Sequence, residues 1–303
     1  PRAAAMASSG CAEGAGSECD ASLDNATAAV HAAARAQLCA LRPAQLQRSW
    51  SLGSFIEAVL VIGLRERYSE RGAAIQAELL RHGASRVEFI EAVNGRALVR
   101  AQPERWAHRM HTDEVADLSH AEGAIGCFLS HYTAHRRAQS LRLQTYLVLE
   151  DDAVFRPHLG ERFRQMLLQL PAHWDMLYLG YNTYFRPSHD CVRARKRSPC
   201  DAEANLRLLC RAKGGLIDAH AIIFHARAWR WLLPLLAKIE ASSTPLMPYD
   251  LELRSFIERN GSTAAYAYAA LPTPMIVQNK TLASDIYVDG MYAPDSLARG
   301  SRS

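Results

Sequence analysis

The segment Tyr146-Leu-Val-Leu-Glu-Asp-Asp-Ala-Val-Phe155 constrains the fold more than any other part of the chain. Four strand-forming residues, Tyr146 to Leu149, end abruptly in three acids, Glu150, Asp151 and Asp152. A strand buried along its length and closed by carboxylates delivers negative charge to the open end of a sheet. In open α/β folds the ligand crevice lies at the carboxyl ends of the strands. Carboxylates gathered there repel one another unless a positive charge sits among them. The usual partner is a hard divalent cation with oxygen ligands, which often also holds a substrate phosphate. The segment therefore points to metal-assisted chemistry on a phosphorylated or nucleotide-activated substrate. A solvated acidic turn is the commoner fate of an isolated triplet, so the rest of the chain has to decide.

A second run, Ala58-Val-Leu-Val-Ile-Gly-Leu64, is apolar throughout, the pattern of a strand covered on both faces. Residues 69–82 carry helical spacing through Ile75, Leu79 and Leu80, with Gly83 as a stop. Residues 87–93 read as a strand ended by the Asn94-Gly95 turn signal. Residues 97–119 read as irregular and polar, 121–141 as a long helix, 159–170 as a helix and 175–180 as a strand. A basic, Cys-containing insertion covers 182–212. A strand at 219–224, helices at 228–239 and 251–259, and late strands at 264–270 and 275–278 follow. Strands alternating with helices predict an α/β fold with a mostly parallel central sheet flanked by helices. Residues 1–54, rich in Ala, Ser, Gly and Arg, read as a linker or stalk, 55–292 as the folded domain, and 293–303 as a disordered tail.

Composition excludes some classes. With 303 residues, 49% of them hydrophobic, the chain can build a substantial core. The net charge of +4 is mild and forms no dense basic patch, which argues against a nucleic-acid partner. The local run Arg193-Ala-Arg-Lys-Arg197 reads as a solvated loop. No apolar run is long enough to span a bilayer, since 221–236 is broken by His225, Arg227 and Arg230. The sequence starts at Pro1, so membrane attachment is expected only through an anchor upstream. Neither G-x-G-x-x-G nor a P-loop is present.

The cysteine count, seven, is odd. Cys127 lies in an apolar helical pattern and reads as a core thiol. Cys191, Cys200 and Cys210 share the insertion, where two of them could pair, without the short paired spacing of a zinc site. Asn25, Asn260 and Asn279 head glycosylation sequons, three of the chain's six asparagines, which points to the lumen of the ER or Golgi. A bacterial origin would place the chain in the cytoplasm instead.

Arg65, Arg67 and Arg71 follow the first strand, where a diphosphate would sit, and guanidinium groups suit phosphate oxygens. Each taken singly reads equally well as a solvated charge. Alternate strand residues share a face, so Glu150 and Asp152 are expected to converge with Asp151 turned away. A strand end can break that alternation, and all three stay as candidate metal ligands. Ser130 and His131 fall in the long helix near the sheet's active edge, as nucleotide or donor-sugar contacts or as packed helix residues. Being adjacent, they do not face each other as a catalytic pair, and no nucleophile elbow is present. Asp250, after Pro248, is either a helix N-cap or a general base, with Glu252 in reserve. Asp285 is a candidate late ligand or donor contact, and His220 lines the acceptor side or packs in the core.

In chain order, Val61-Ile-Gly-Leu-Arg-Glu-Arg67, Phe89-Ile-Glu-Ala-Val-Asn-Gly95, Gly123-Ala-Ile-Gly-Cys-Phe-Leu-Ser-His131, Leu147-Val-Leu-Glu-Asp-Asp-Ala153, Asp175-Met-Leu-Tyr-Leu-Gly180, His220-Ala-Ile-Ile223, Pro248-Tyr-Asp250 and Ser284-Asp-Ile286 resemble glycosyltransferase family 25. That family includes bacterial lipooligosaccharide galactosyltransferases and animal procollagen galactosyltransferases. The third and fourth segments together are the most specific. One departure stands out: the family's first strand usually reads Ile-Asn-Leu, and Gly63 stands here in place of the Asn. The resemblance implies a GT-A type fold, a UDP-sugar donor (often UDP-galactose) and a divalent cation, typically Mn2+, with Glu150-Asp151-Asp152 in place of Asp-x-Asp. It further implies transfer with inversion to a hydroxyl of a glycan, lipid-linked glycan or protein, with Asp250 as base. Two other classes compete. One is a catalytically inactive relative serving as a binding or adhesion module. The other is a metal-dependent phosphohydrolase, which would need further ligands at recognisable spacing.

Overall fold

The computed structural model describes residues 51–109, 118–181, 191–192, 209–212, 216, 218, 220–260, 265–270 and 273–279. The expected stalk up to residue 50, the tail, the Arg193–Arg197 run, Asp285, Cys200 and the Asn25 sequon lie outside them. In chain order the elements are β1 (Ala58–Gly63), α1 (Ala73–Arg81), β2 (Val87–Glu91), α2 (Gly95–Ala101), α3 (Pro103–Trp106), α4 (Leu118–Ser140), β3 (Thr145–Glu150), β4 (Ala153–Phe155) and α5 (Leu159–Gln169). They continue with β5 (Met176–Gly180), β6 (Cys191–Val192), β7 (Leu209–Ala212), β8 (Ala221–His225), α6 (Trp229–Ala241), α7 (Tyr249–Asn260), β9 (Ala267–Ala270) and β10 (Ile276–Gln278).

Eight strands form one sheet in the order β2-β1-β3-β8-β5-β9-β7-β6, and β4 pairs with β10 apart from it. The pairings run β1, β2, β3, β5, β6 and β9 in one direction, opposed only by β7 and β8. The sheet is mostly parallel, as the alternation of strands and helices predicts. Successive side chains of a strand leave opposite faces, and both faces here are covered. Leu60, Ile62, Tyr146, Val148, Tyr178, Ile222 and Phe224 pack with Ile125 and Phe128 of α4, Leu232 and Leu236 of α6, and Leu253 and Ile257 of α7. Val59, Val61, Leu147, Leu149, Leu177, Leu179 and Ile223 pack with Ile75 and Leu79 of α1 and Phe163 and Met166 of α5. That is why the strands read as unbroken apolar runs. Each fully buried Leu, Ile or Phe contributes about 1.5–3 kcal/mol.

One expectation is corrected. Residues 97–119 are not uniformly irregular: Asn94 is a helix cap, its side-chain oxygen accepting from Ala97 N at 3.0 Å, and α2 and α3 follow. The turn signal Asn94-Gly95 is the start of a helix because Asn serves both jobs through the same carbonyl. Leu52 is buried with the α1–α5 face. Within the insertion, Leu209, Cys210 and Ala212 are buried in β7, which extends the sheet. Cys210 is disulfide-bonded.

The glycines of the long-helix motif have a steric cause. A Cβ at Gly126 would fall 2.5 Å from Val93 O and 2.8 Å from Gly95 N, and one at Gly95 would fall 1.8 Å from Glu122 O. Only two glycines let the start of α2 lie on α4 this closely. Ser130 then ties the contact, accepting from Val93 N at 2.8 Å and donating to Gly126 O at 2.6 Å.

Candidate active site

The carboxyl ends of β1 and β3 and the amino end of antiparallel β8 meet at one rim of the sheet. Register brings Ile62 beside Glu150, and Glu150 N donates to His220 O at 3.0 Å. The start of α7 and the middle of α4 close the same region. This is the strand-end crevice where ligands of open α/β sheets bind.

The three acids of the triplet do not converge. β3 ends at Glu150, and Asp151 and Asp152 lie in the turn beyond it, so strand alternation no longer sets their directions. Glu150 turns to α4 and β10: its Oε1 lies 3.3 Å from His131 Nε2, and its Oε2 accepts from Gln278 Nε2 at 2.9 Å. These contacts hold its carboxyl below the ordinary value despite burial. Asp151 turns to β1, with Oδ1 3.5 Å from Arg71 Nη1. Its side chain fills the space that a side chain at residue 63 would need, since a Cβ on Gly63 would lie 2.7 Å from Asp151 Oδ2. The departure at residue 63 thus makes room for an acid. Asp152 faces neither partner. Its Oδ1 is buried with no hydrogen bond, and burial together with the charges of Glu150 and Asp151 pushes its carboxyl up to about 7.

Asp250 is not the N-cap: it lies inside the first turn of α7, where a negative charge favours the helix dipole. Its Oδ2 accepts from Asp218 N at 2.7 Å. Burial raises its carboxyl to about 6, with Asp218 and Glu150 adding to the shift and the Asp218 and Leu251 N–H groups opposing it. Glu252 is spent on the helix start, accepting from Met247 N at 3.2 Å, and burial raises its carboxyl.

The remaining candidates separate into near and far. Arg71 reaches the acidic turn, and Arg67 is close enough to oppose the rise of the Asp151 carboxyl. Arg65 is exposed. His131 is buried, and its Nδ1 has no partner. Its ring stacks on Tyr249 with centroids 4.2 Å apart and planes 7° from parallel. His220 is buried and donates from Nε2 to Ile276 O at 3.0 Å, which ties β10 to the sheet, and its Nδ1 has no partner. Ser130 is a scaffold residue, occupied on both sides by backbone.

Further residues bear on the site beyond the candidates read from the sequence. Tyr249 holds His131 by stacking and is itself held by His135, whose Nε2 lies 2.6 Å from Tyr249 Oη. His135 Nδ1 lies 3.0 Å from Tyr146 Oη, which accepts from Trp229 Nε1 at 3.0 Å. Neutral His135 donates from one ring nitrogen and accepts at the other, which links Tyr146 to Tyr249. Burial holds His135 neutral by driving its pKa down. Gln278 closes Glu150 from the far side. Cys127, read as a core thiol, is a half-buried free thiol at this rim. Burial and the charges of Glu150 and Asp250 raise its pKa. Its position one helical turn before His131 was legible in the sequence. The contacts of Tyr249 and Gln278 were not.

The oxygen-rich turn fits a hard cation: Asp152 offers a buried oxygen, Oδ1, that accepts no hydrogen bond. Glu150 and Asp151 are its neighbours but are turned to other partners.

The sequence model of the family described as "Glycosyltransferase family 25 (LPS biosynthesis protein)" matches residues 56–250. The chain is 26% identical over 130 residues to procollagen galactosyltransferase 2 of Mus musculus, a stretch covering 41% of this chain and 20% of that protein. It is 28% identical over 130 residues to the Bos taurus protein named "Probable inactive glycosyltransferase 25 family member 3", covering 41% and 22%. The matched stretch is thus about a fifth of each relative's length. Among solved structures, the inositol-1-phosphate CTP transferase of T. maritima aligns over 76% of this chain and 93% of that one, at 10% identity and a TM-score of 0.35, too low to argue from. The family model takes in β1, the α4 motif, the acidic turn and Asp250, and on that match the chain belongs to glycosyltransferase family 25.

Proposed function

We propose that the chain transfers a sugar, most plausibly galactose, from a UDP-sugar to an acceptor hydroxyl with inversion, on a GT-A type scaffold and with the help of a divalent cation such as Mn2+. The observation that carries the reading is that the acids within the family match meet at one rim of the sheet, where Asp152 Oδ1 is buried without a hydrogen bond and Asp250 Oδ2 is held by the Asp218 N–H. Burial pushes both carboxyls up, which suits one to a cation and the other to taking a proton near neutrality.

A cation held by Asp152, with Glu150 and Asp151 beside it, would act as a Lewis acid on the donor diphosphate. The chain's own groups supply the rest. Asp250 is mostly ionised at pH 7, and the Asp218 N–H fixes its Oδ2. It takes the proton of the acceptor hydroxyl as that oxygen bonds to the anomeric carbon. The bond from that carbon to the phosphate oxygen breaks in the same displacement, UDP leaves, and the anomeric configuration inverts. Arg71 lies just past β1 and can offer its guanidinium to phosphate oxygens while Asp151 orients it. The acceptor is a hydroxyl of a glycan, a lipid-linked glycan or a protein. The Cys210 disulfide and the sequons support an oxidising lumen.

The divergence of Glu150 and Asp151 from Asp152 favours one second reading, an inactive relative that binds without turnover. UDP release from a panel of UDP-sugars, with and without Mn2+, separates the two. Transfer predicts Mn2+-dependent turnover of one UDP-sugar, lost in Asp152→Asn, with Asp250→Asn retaining donor binding but not turnover. Absence of turnover with every UDP-sugar and acceptor class would reject transfer in favour of the inactive relative. Hydrolysis of simple phosphoesters would point to a phosphohydrolase.

A further inference from the structure

Cys127 and His131 stand four residues apart on α4, so their side chains leave the same face of the helix. That face meets the end of β3 at Glu150. One donor atom from each residue, the Cys127 sulfur, a His131 ring nitrogen and a Glu150 carboxylate oxygen, lies within 4.8 Å of the other two. No other group of three such donors meets this closely among the described residues.

The donor set has a chemical preference. Manganese and magnesium favour oxygen ligands. Zinc accepts thiolate, imidazole and carboxylate together, at about 2.0–2.3 Å and in tetrahedral array, and three protein ligands leave a fourth position open. The supports are in place. Glu150 is braced by Gln278 at 2.9 Å, His131 is stacked on Tyr249, and Cys127 is a free thiol facing the Tyr249 backbone N–H. Outer partners of this kind orient ligands before the ion arrives. At present a proton occupies the gap between His131 Nε2 and Glu150 Oε1.

We propose that Cys127, His131 and Glu150 form a binding site for a thiophilic divalent cation of the zinc class, separate from the hard-cation position at Asp152. On binding, the thiol proton goes to solvent, the imidazole proton moves from Nε2 to the unpartnered Nδ1 of His131, and the metal takes its place between the ring nitrogen and the carboxylate. No oxidation change is involved. The site does not depend on sugar transfer and is tested without substrate.

The full chain, stripped of metal with a chelator and kept free of reductants strong enough to open the Cys210 disulfide, is titrated with Co2+ as a spectroscopic stand-in for zinc. The expected result is a thiolate-to-cobalt band in the near ultraviolet with tetrahedral bands in the visible. The bands saturate at one equivalent and are bleached by Zn2+. Cys127→Ser and Cys127→Ala should each remove the near-ultraviolet band, and Asp152→Asn should leave it intact. Circular dichroism of each variant confirms folding, and if one Cys127 variant fails to fold the other serves. Absence of the band in the wild type, or its persistence in a folded Cys127 variant, overturns the proposal. Either result leaves the transferase reading standing, because that reading is tested by Mn2+-dependent UDP release.

Discussion

Replacing Asp152 with Asn should stabilise the metal-free protein while abolishing its metal-dependent activity. The Asp152 carboxyl rises from 3.8 to about 7 through burial and the neighbouring charges of Glu150 and Asp151. A shift of about three units, at ~1.4 kcal/mol each, corresponds to ~4 kcal/mol of penalty on the ionised form. Because the folded pKa is raised, the folded chain keeps a proton that the unfolded chain releases. This group's contribution to stability therefore falls as pH climbs from about 4 to about 7 and is level above that. Asn keeps the size and removes the charge. Its advantage should be ~2 kcal/mol at pH 5 and ~4 kcal/mol at pH 8, a widening of ~2 kcal/mol. The titration of Asp250 is common to both proteins and cancels in the difference. Urea unfolding in chelator at the two pH values measures the gap, and linear extrapolation resolves a change of this size. Mn2+ should narrow the gap by stabilising only the wild type. A variant no more stable than wild type at pH 8, or a gap that does not change with pH, would refute the claim that burial and the charges of Glu150 and Asp151 outweigh Arg71 at this carboxylate.

Other expectations follow from neighbouring groups. If Asp250 is the base, kcat/KM should rise with pH through about 6, the ionised form being the active one; a profile flat from pH 5 to 8 removes Asp250 from that role. Gly63→Ala places a methyl 2.7 Å from Asp151 Oδ2, so Asp151 must leave Arg71, and turnover should drop ~10-fold, equivalent to ~1.4 kcal/mol, with an unchanged circular dichroism spectrum. Unaltered kinetics would show that the placement of Asp151 is irrelevant. Arg109, buried against Trp106, donates to the carbonyls of Ile239, Glu240 and Thr244 at the end of α6. Arg109→Ala removes the donor to Glu240 O, while Ile239 O keeps Ser242 N and Thr244 is exposed, so urea unfolding should show a loss of ~1–3 kcal/mol, and no measurable loss would refute the capping role.

The sequence by itself determined the architecture and the place of the site. The apolar runs at 58–64 and 146–149 could be satisfied only by strands covered on both faces, and alternation with helices made the sheet mostly parallel. Glu150 to Asp152 ended one of those strands, which set the acids at the sheet's open rim whatever the loops did. The α4 motif was legible as a pattern, but its glycines gained a reason only when α2 was seen lying against Gly126. What the tertiary structure alone decided is where each acid points. Past Glu150 no strand pleat fixes the side chains, so partners distant in sequence do: Gln278 and His131 take Glu150, Arg71 and the space above Gly63 take Asp151, and Asp152 Oδ1 is left without a hydrogen bond. The pairing of Asp250 with Asp218, and the hydrogen-bonded chain from Trp229 through Tyr146 and His135 to Tyr249, are likewise contacts between segments far apart in the chain. Local periodicity encodes which face a residue occupies. It carries no information about which remote group will meet that face, and at this site the remote groups set the charges.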